Sequence, residues 1–320
     1  MRLAFAIPWF DRGRWLFAHL PEEYQGELLL AVPEGGVGKL PPYLRELFWL
    51  WRRGYRLAEY DTIFTWELRC TLAILLLRRV QGAKTRVIAV GPILKGRMRR
   101  LLPVMRPLLR QAERIVCFSS AERKRYASLL GLPAERFVFL PTPWTAPADV
   151  PESSEEGFVL ALGQSNRDYG TLFRAVEGIG VPVTVVSADT GPFGGISAPS
   201  NVTVKFNTGH DETNALIASA TLHVIPLHPT EFSSGQTVLL RAMAAGKACI
   251  VSVVSGVTDY VDANQTAVLV PAHDPEALRN ALVRLWGDPI ERERLGQAAQ
   301  RAVETHFSFA GFLRALLELL

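Results

Sequence analysis

The sequence predicts an α/β protein made of two doubly wound parallel-sheet domains. The chain has 320 residues, which is more than one ordinary hydrophobic core holds. Short apolar segments alternate with helical segments in both halves of the chain, as in parallel sheets covered on both faces. A proline-rich stretch at 141–157, with an acidic, serine-rich end, separates the halves and is typical of an interdomain linker.

In the first half, apolar segments of five to seven residues predict six strands, and patterned helical segments separate most of them. The predicted strands are 2–8, 28–33, 62–66, 86–90, 114–118 and 136–141. We assign residues 1–145 to an N-terminal domain and residues 146–157 to the linker.

The second half repeats the same alternation. Its predicted strands are 158–163, 182–187, 202–207, 222–228, 248–254 and 267–271. Asp274 is a predicted N-cap, with Pro275 at the first helical position. We assign residues 158–305 to a C-terminal domain and 306–320 to a closing helix. In such sheets, ligands bind beyond the carboxyl ends of the strands.

Charge is distributed unevenly along the chain. Residues 1–150 hold 24 Lys and Arg against 13 Asp and Glu, whereas residues 151–320 hold 11 against 18. Between Arg69 and Arg114, 12 basic residues face a single acidic one, Glu113. This excess predicts an anionic partner for the first half.

Several classes of protein are disfavoured by the sequence. The three cysteines are far apart in apolar runs, which predicts buried thiols, and no Cys/His cluster has metal-binding spacing. No apolar run is long enough for a signal peptide or a bilayer span, so we expect a cytoplasmic chain. P-loop and catalytic-triad patterns are missing too. The oligomeric state is not indicated.

Small polar residues follow two strands of the second half. The loop before the helix at about 236 contains Ser233, Ser234 and Gly235. Backbone N–H groups at such a helix start can bind phosphate, but serine and threonine are also ordinary helix caps. In the loop after 158–163, Arg167 could bind phosphate oxygens, or could pair with Asp168 or a helix end. Two such loops on one sheet edge favour a diphosphate.

Two features of the first half carry alternative interpretations. Arg97, Arg99, Arg100 and Arg106 flank an apolar stripe at helical spacing, which fits a surface helix packed on the sheet or a site for anionic lipid headgroups. Nucleic acid is disfavoured, because no aromatic residues interleave with these arginines. Trp66 and Glu67 follow a strand and suit a polyhydroxylated acceptor, or are simply a buried tryptophan beside a surface glutamate.

The second half resembles the donor-binding half of retaining group 1 glycosyltransferases, which have the GT-B fold. The resemblance rests on "SSGQTVLLRAMAAGKACIVS", "DYV", "AVLVPAHDPEAL" and "FSFAGFLRALLELL", in the family's order and spacing. "GQSNRDYGTLFRAV" is similar to the first phosphate loop of a subgroup with "RDY", and residues 112–143 resemble the end of the acceptor domain. The match is good over about residues 110–320.

The resemblance implies two domains facing each other across a cleft. It also implies sugar transfer from a nucleotide-diphosphate sugar with retained anomeric configuration, without an obligatory metal or other cofactor. The resemblance implies that two groups of residues bind the donor. These are Gly163, Gln164 and Ser165 in the first loop, and Ser234, Gly235, Gln236 and Thr237 at the helix start.

The sequence also departs from the family pattern. Many members carry two glutamates separated by seven residues, and Ser233 and Arg241 stand at those positions. Glu231 lies two residues early, and Gln164 replaces the usual arginine, which leaves Arg167 as the nearest cation. We predict catalytic roles for Arg167, Glu231 and Ser233, donor contact for Arg241, and an unknown acceptor, lipid-linked or from the cell envelope. The alternative is an inactive GT-B protein that binds nucleotide sugars or serves as a scaffold.

Overall fold

The computed structural model describes residues 1–7, 14–30, 42–92, 94, 100–144 and 157–320. Nearly all of the predicted linker, 146–157, lies outside these residues, as do Arg97 and Arg99. The described chain forms two compact units. One contains Met1–Leu140 together with Phe312–Leu320, and the other contains Pro141–Gly311.

The first unit has six parallel strands with helices between them. Its strands are β1 (Arg2–Ile7), β2 (Gln25–Leu30), β3 (Thr62–Trp66), β4 (Arg86–Val90), β5 (Arg114–Cys117) and β6 (Phe137–Phe139). Its helices are α1 (Arg14–Phe17), α2 (Pro42–Arg52), α3 (Glu67–Gln81), α4 (Leu102–Leu109) and α5 (Ser120–Leu130). The order in the sheet is β2-β1-β3-β4-β5-β6. All six predicted strands are confirmed, with small shifts at their ends.

The second unit repeats this plan. Its strands are β7 (Val159–Leu162), β8 (Val183–Ser187), β9 (Val202–Phe206), β10 (Leu222–Ile225), β11 (Ala248–Val253) and β12 (Val268–Pro271). The helices of the unit and the end of the chain are α6 (Tyr169–Val176), α7 (His210–Ser219), α8 (Gln236–Ala244), α9 (Pro275–Gly287), α10 (Pro289–His306) and α11 (Phe309–Leu317).

The order of the second sheet, β12-β11-β10-β7-β8-β9, is that of a doubly wound dinucleotide-binding fold. The chain first builds outward from β7 through β8 to β9, then returns to the other side of β7 and builds outward from β10. The connection therefore reverses direction between β7 and β10. Loops leaving these two neighbouring strands diverge to opposite faces of the sheet and leave a crevice between them.

Apolar side chains fill both faces of the second sheet, as its nearly continuous apolar strands predict. One face is covered by α6 and α9, whose leucine, valine and aromatic side chains pack on β7, β8 and β12. The other face is covered by α8 and α10. The three cysteines are buried free thiols, as predicted.

The end of the chain is divided differently from the sequence-based assignment. We predicted a closing helix over 306–320, and α11 occupies the middle of that range, but Phe312–Leu320 packs with the first unit. The Phe312 ring lies 6.1 Å from the ring of Trp66. Arg86 donates hydrogen bonds to the carbonyl groups of Leu319 and Leu320, and its other N–H groups bind Glu113. These long-range contacts have no signal in local sequence patterns.

The helix α10 approaches the turn after α8 so closely that only glycine fits between them. A Cβ atom built on Gly296 would lie 2.0 Å from the carbonyl oxygen of Gly246, which is a backbone atom and cannot rotate away. Gly246 itself has a left-handed backbone with φ of 68°.

We predict that Gly296→Ala lowers the free energy of unfolding by about 3 kcal/mol, the upper end of typical overpacking costs, because the helix must move away from the turn. Urea denaturation measures the change. The matched control is Gly287→Ala in α9, where an added Cβ meets nothing within 4 Å. This control is expected to be neutral or stabilising by up to about 1 kcal/mol. Equal stability of the two variants would contradict the packing described above.

Candidate functional site

The loops that follow β7 and β10 are joined by backbone hydrogen bonds at the reversal point of the second sheet. Arg167 and Leu227 form an isolated antiparallel bridge. The amide of His228 donates to the carbonyl oxygen of Asn166 at 3.2 Å, and the Asn166 side chain donates back to the His228 carbonyl oxygen at 2.7 Å. Asn166 has a φ of 60°, a conformation that asparagine tolerates better than most residues. The two predicted binding loops therefore form one connected structure.

The start of α8 has no side-chain cap. Its N-cap residue is Gly235, with φ of 91°, and among the described residues no side chain forms a capping hydrogen bond at this end of the helix. Ser234 instead donates to the Ser165 carbonyl oxygen at 3.1 Å, and Gln236 donates to the carbonyl oxygen of Gly256. The capping alternative for these small polar residues is therefore wrong. The geometry favours the anion-binding alternative, because the first amides of a helix attract negative charge.

Glycine is required next to this helix start. A Cβ atom on Gly235 would lie 2.9 Å from Leu227 Cδ1, and one on Gly256 would lie 2.7 Å from the Phe232 carbonyl oxygen. The left-handed backbone of Gly235 and the close approach of Gly256 to the Phe232 backbone help to fix the direction of the α8 amides. Thr237, the second residue of the helix, is exposed.

Arg167 is buried beneath the first loop. Its Nε donates to the carbonyl oxygen of Leu162 at 2.9 Å, and Nη1 donates to that of Ser165 at 3.1 Å. Only 4% of its surface is exposed, and burial lowers the pKa of its guanidinium. Gly163, with φ of 113°, leaves the space that this guanidinium fills. Arg167 therefore supports the loop by hydrogen bonds to its backbone. In the described contacts it does not pair with Asp168. Its contact with a phosphate stays a prediction.

Gln164 connects the first loop to the loop after β8. Its Nε2 donates to Asp189 Oδ2 at 2.6 Å, and its Oε1 accepts a hydrogen bond from the Ala188 amide at 3.2 Å. The uncharged side chain of Gln164 thus stands at the position where the family resemblance implies an arginine.

The remaining predicted residues of the second unit lie in the loop after β10 and in α8. Glu231 is exposed, and Ser233 is partly buried with its Oγ inside the protein. Arg241 Nη2 donates to Asn214 Oδ1 at 2.6 Å, which joins α8 to α7. Their catalytic and donor-binding roles stay predictions.

In the first unit, the two predicted acceptor residues have different surroundings. Trp66 is 7% exposed and packs on Phe312, which fits the structural alternative for this tryptophan. Glu67 is partly exposed, has a left-handed backbone with φ of 61°, and pairs with Arg69 at 2.9 Å. Strained non-glycine residues of this kind cluster at functional sites, so Glu67 remains the better candidate for an acceptor contact.

Of the predicted lipid-binding arginines, Arg106 has a structural role. Its Nε and Nη2 donate to the carbonyl oxygens of Leu130 and Leu129, at 2.9 and 2.8 Å, at the end of α5. Arg100 is exposed.

A third group of residues lies beside the joined loops and has no signal in the local sequence pattern. Asp168 is the N-cap of α6 and accepts hydrogen bonds from the Thr171 amide at 3.0 Å and the Thr171 hydroxyl at 2.7 Å. His273 Nδ1 lies 2.8 Å from Asp168 Oδ2, and His228 Nδ1 lies 3.8 Å from the same oxygen. Burial would raise the pKa of Asp168, but the hydrogen bonds from Thr171, together with the electrostatic effect of His228 and His273, outweigh it and lower the pKa.

Comparison with known proteins supports the resemblance in the second unit. A family model described as "Glycosyl transferases group 1" matches residues 194–288. This segment runs from the loop after β8 through α8 to the end of α9. No curated protein matches the chain.

Solved structures match the chain over its whole length. Sucrose-phosphate synthase from Thermosynechococcus elongatus has a TM-score of 0.71 at 15% identity, covering 99% of this chain and 98% of that one. Anabaena Alr3699/HepE in complex with UDP-glucose has a TM-score of 0.70 at 15% identity, covering 100% and 99%. A glycosyltransferase from Rickettsia africae has a TM-score of 0.68 at 12% identity, covering 99% and 97%. The predicted GT-B fold is confirmed by these matches.

We predict that Arg167→Met destabilises the protein by about 1–3 kcal/mol, because the carbonyl oxygen of the buried Leu162 loses its Arg167 donor. The change is measured by urea denaturation. Arg174→Met, on the exposed side of α6, is the control and should cost less than about 0.5 kcal/mol. If Arg167→Met were as stable as this control, the guanidinium would not support the loop.

Proposed function

We propose that this protein is a glycosyltransferase that moves a sugar from a nucleotide-diphosphate sugar to an acceptor. The observation that carries the proposal is the uncapped start of α8, which lies beside the loop of β7 at the reversal point of the second sheet. Crevices at such points bind nucleotides in doubly wound sheets. The family match over residues 194–288, which includes this helix, supports the same activity.

The proposed donor carries a uridine diphosphate. Anabaena HepE, which shares the fold over its whole length, forms complexes with UDP and with UDP-glucose. A diphosphate near Gly235, Gln236 and Thr237 would meet backbone N–H groups and the positive end of the α8 dipole. The first loop would contribute Gly163, Gln164 and Ser165 from the other side.

Transfer needs stabilisation of the charge that develops on the departing diphosphate. Fixed backbone amides and a helix dipole supply it without moving any group during the reaction. This arrangement is compatible with chemistry that requires no metal at the diphosphate. Retention of configuration is part of the proposal, with Glu231 and Ser233 in the loop that would lie beside the sugar.

A second candidate function is an inactive protein that binds nucleotide sugars. Ser233 and Arg241 favour it, because they occupy the positions where the family resemblance implies two glutamates. The Arg241 side chain is joined to Asn214. The two candidates share the donor site and differ in turnover.

Association with an anionic membrane surface is part of the proposal for the first unit. Leu101 and Val104 are 47% and 75% exposed, and the exposed Arg100 and Arg110 lie in the same segment as α4. Apolar side chains flanked by arginines suit the interface of an anionic bilayer. Among the described residues, no helix is both long and apolar enough to cross a membrane.

The donor site is tested by calorimetry with UDP and by release of UDP from UDP-glucose in the presence of candidate acceptors. Gly235→Ala should weaken UDP binding on the order of tenfold, since a methyl group there strains the left-handed backbone and displaces the α8 amides. Gly178→Ala is the matched control, because Gly178 also has a positive φ, 74°, but an added Cβ meets nothing within 4 Å.

The outcomes separate the two candidate functions. UDP binding with UDP release supports the transferase, and binding without release across nucleotide sugars and acceptors supports the inactive protein. Absence of binding to any nucleotide diphosphate contradicts both. An equal loss of affinity in Gly178→Ala and Gly235→Ala would mean that the α8 start is not the site.

Membrane association is tested by flotation with vesicles. The protein should float with vesicles rich in anionic lipid at low salt and remain unbound with neutral vesicles or at high salt. Val104→Glu should reduce flotation, whereas Ile290→Glu, at an equally exposed apolar position of α10, should not. Flotation that is independent of lipid charge, or absent, would contradict this part of the proposal.

A further inference from the structure

We propose that Asp168, His228 and His273 form a binding site for one divalent transition-metal ion of the Zn²⁺, Co²⁺ or Ni²⁺ class. One ligand atom from each of these residues lies within 4.8 Å of the other two. The three residues come from three different loops: those after β7, β10 and β12. This site does not rest on the proposed transferase activity.

The distances fit a shared ion. Two ligands that each lie about 2.1 Å from a tetrahedral zinc ion are about 3.4 Å apart. The two measured separations from Asp168 Oδ2, 2.8 Å to His273 and 3.8 Å to His228, lie on either side of that value. Small side-chain rotations would therefore bring the ligands to equal distances from one ion.

The donor set determines the class of metal. Two imidazole nitrogens and one carboxylate oxygen suit zinc, cobalt and nickel, whereas magnesium and calcium prefer oxygen ligands. The side chains of His228 and His273 are 46% and 51% exposed, so an ion could enter from solvent and complete its coordination with water. Three protein ligands with an open position are common in metal sites.

The carboxylate is held in place for this role. Asp168 is 4% exposed, and both of its oxygens accept hydrogen bonds from Thr171, which fixes the direction of its remaining lone pairs.

The backbone of His273 gives a second, independent indication. Its φ is 61°, in the left-handed region that few residues other than glycine adopt, although asparagine, aspartate and histidine occur there more often than most. This conformation places the imidazole 2.8 Å from Asp168 Oδ2, and its ring centre 5.1 Å from that of His228. Non-glycine residues with this backbone conformation cluster at functional sites.

A bound ion would join the two loops of the candidate donor site to the loop after β12. Asp168 directly follows Arg167, and His228 directly follows Leu227, the two residues of the interloop bridge. Because the three ligands converge only in the folded chain, binding of the ion should stabilise the native state.

Calorimetry with zinc chloride on the chelator-treated full chain tests the proposal, and Co²⁺ absorption spectra give a second measurement. We expect one ion per chain, a rise in melting temperature, and visible absorption bands from bound Co²⁺. His228→Gln and His273→Asn should each weaken binding at least tenfold. Asparagine is chosen at 273 because it tolerates the left-handed backbone. The control is His210→Gln, at an exposed histidine in α7, which should bind as wild type does.

Circular dichroism and urea denaturation of the metal-free variants show that they remain folded, independently of the metal. The proposal is overturned if the wild type binds no stoichiometric ion, which would leave Asp168 and the histidines as a hydrogen-bonded group only. It is also overturned if His210→Gln loses as much affinity as the two ligand variants, which would indicate non-specific binding to surface histidines.

Discussion

The bridge between the loops after β7 and β10 is the constraint on which the candidate site depends. Parallel strands that are neighbours at the reversal point leave a gap, because their connections run to opposite faces of the sheet. In this protein, Arg167 and Leu227 pair across that gap, and Asn166 and His228 exchange hydrogen bonds beside them. The backbone of both loops is thereby fixed, and the start of α8 is held relative to the first loop.

Polar side chains, of which Arg167 and Ser234 are buried and Gln164 is exposed, connect the loops of this region. Arg167 fills the space under Gly163 and donates to the carbonyl oxygens of Leu162 and Ser165, the second of which also accepts from Ser234. Gln164 and Ser234 likewise bind neighbouring loops and do not cap helices. An unpaired buried carbonyl is costly, so these contacts fix one loop conformation. The amides at the α8 start are left for a ligand because no serine or threonine caps them.

The Asp168–His228–His273 group adds a third loop to this arrangement. Asp168 serves as N-cap of α6 and at the same time faces two histidines from separate parts of the chain. The donor-site loops therefore have two supports. One is the interloop bridge, which is built from backbone hydrogen bonds, and the other is a side-chain cluster whose strength would depend on a metal ion.

The sequence by itself determined the two doubly wound units and the positions of their twelve strands, because alternating apolar segments and helix signals are local patterns. It also determined that the loops after β7 and β10 lie on one sheet edge. Only the tertiary structure decided that Arg167 turns inward, that Phe312–Leu320 joins the first unit, and that His228 and His273 meet at Asp168. These outcomes depend on contacts between residues far apart in the chain, and no local pattern encodes which distant groups will meet.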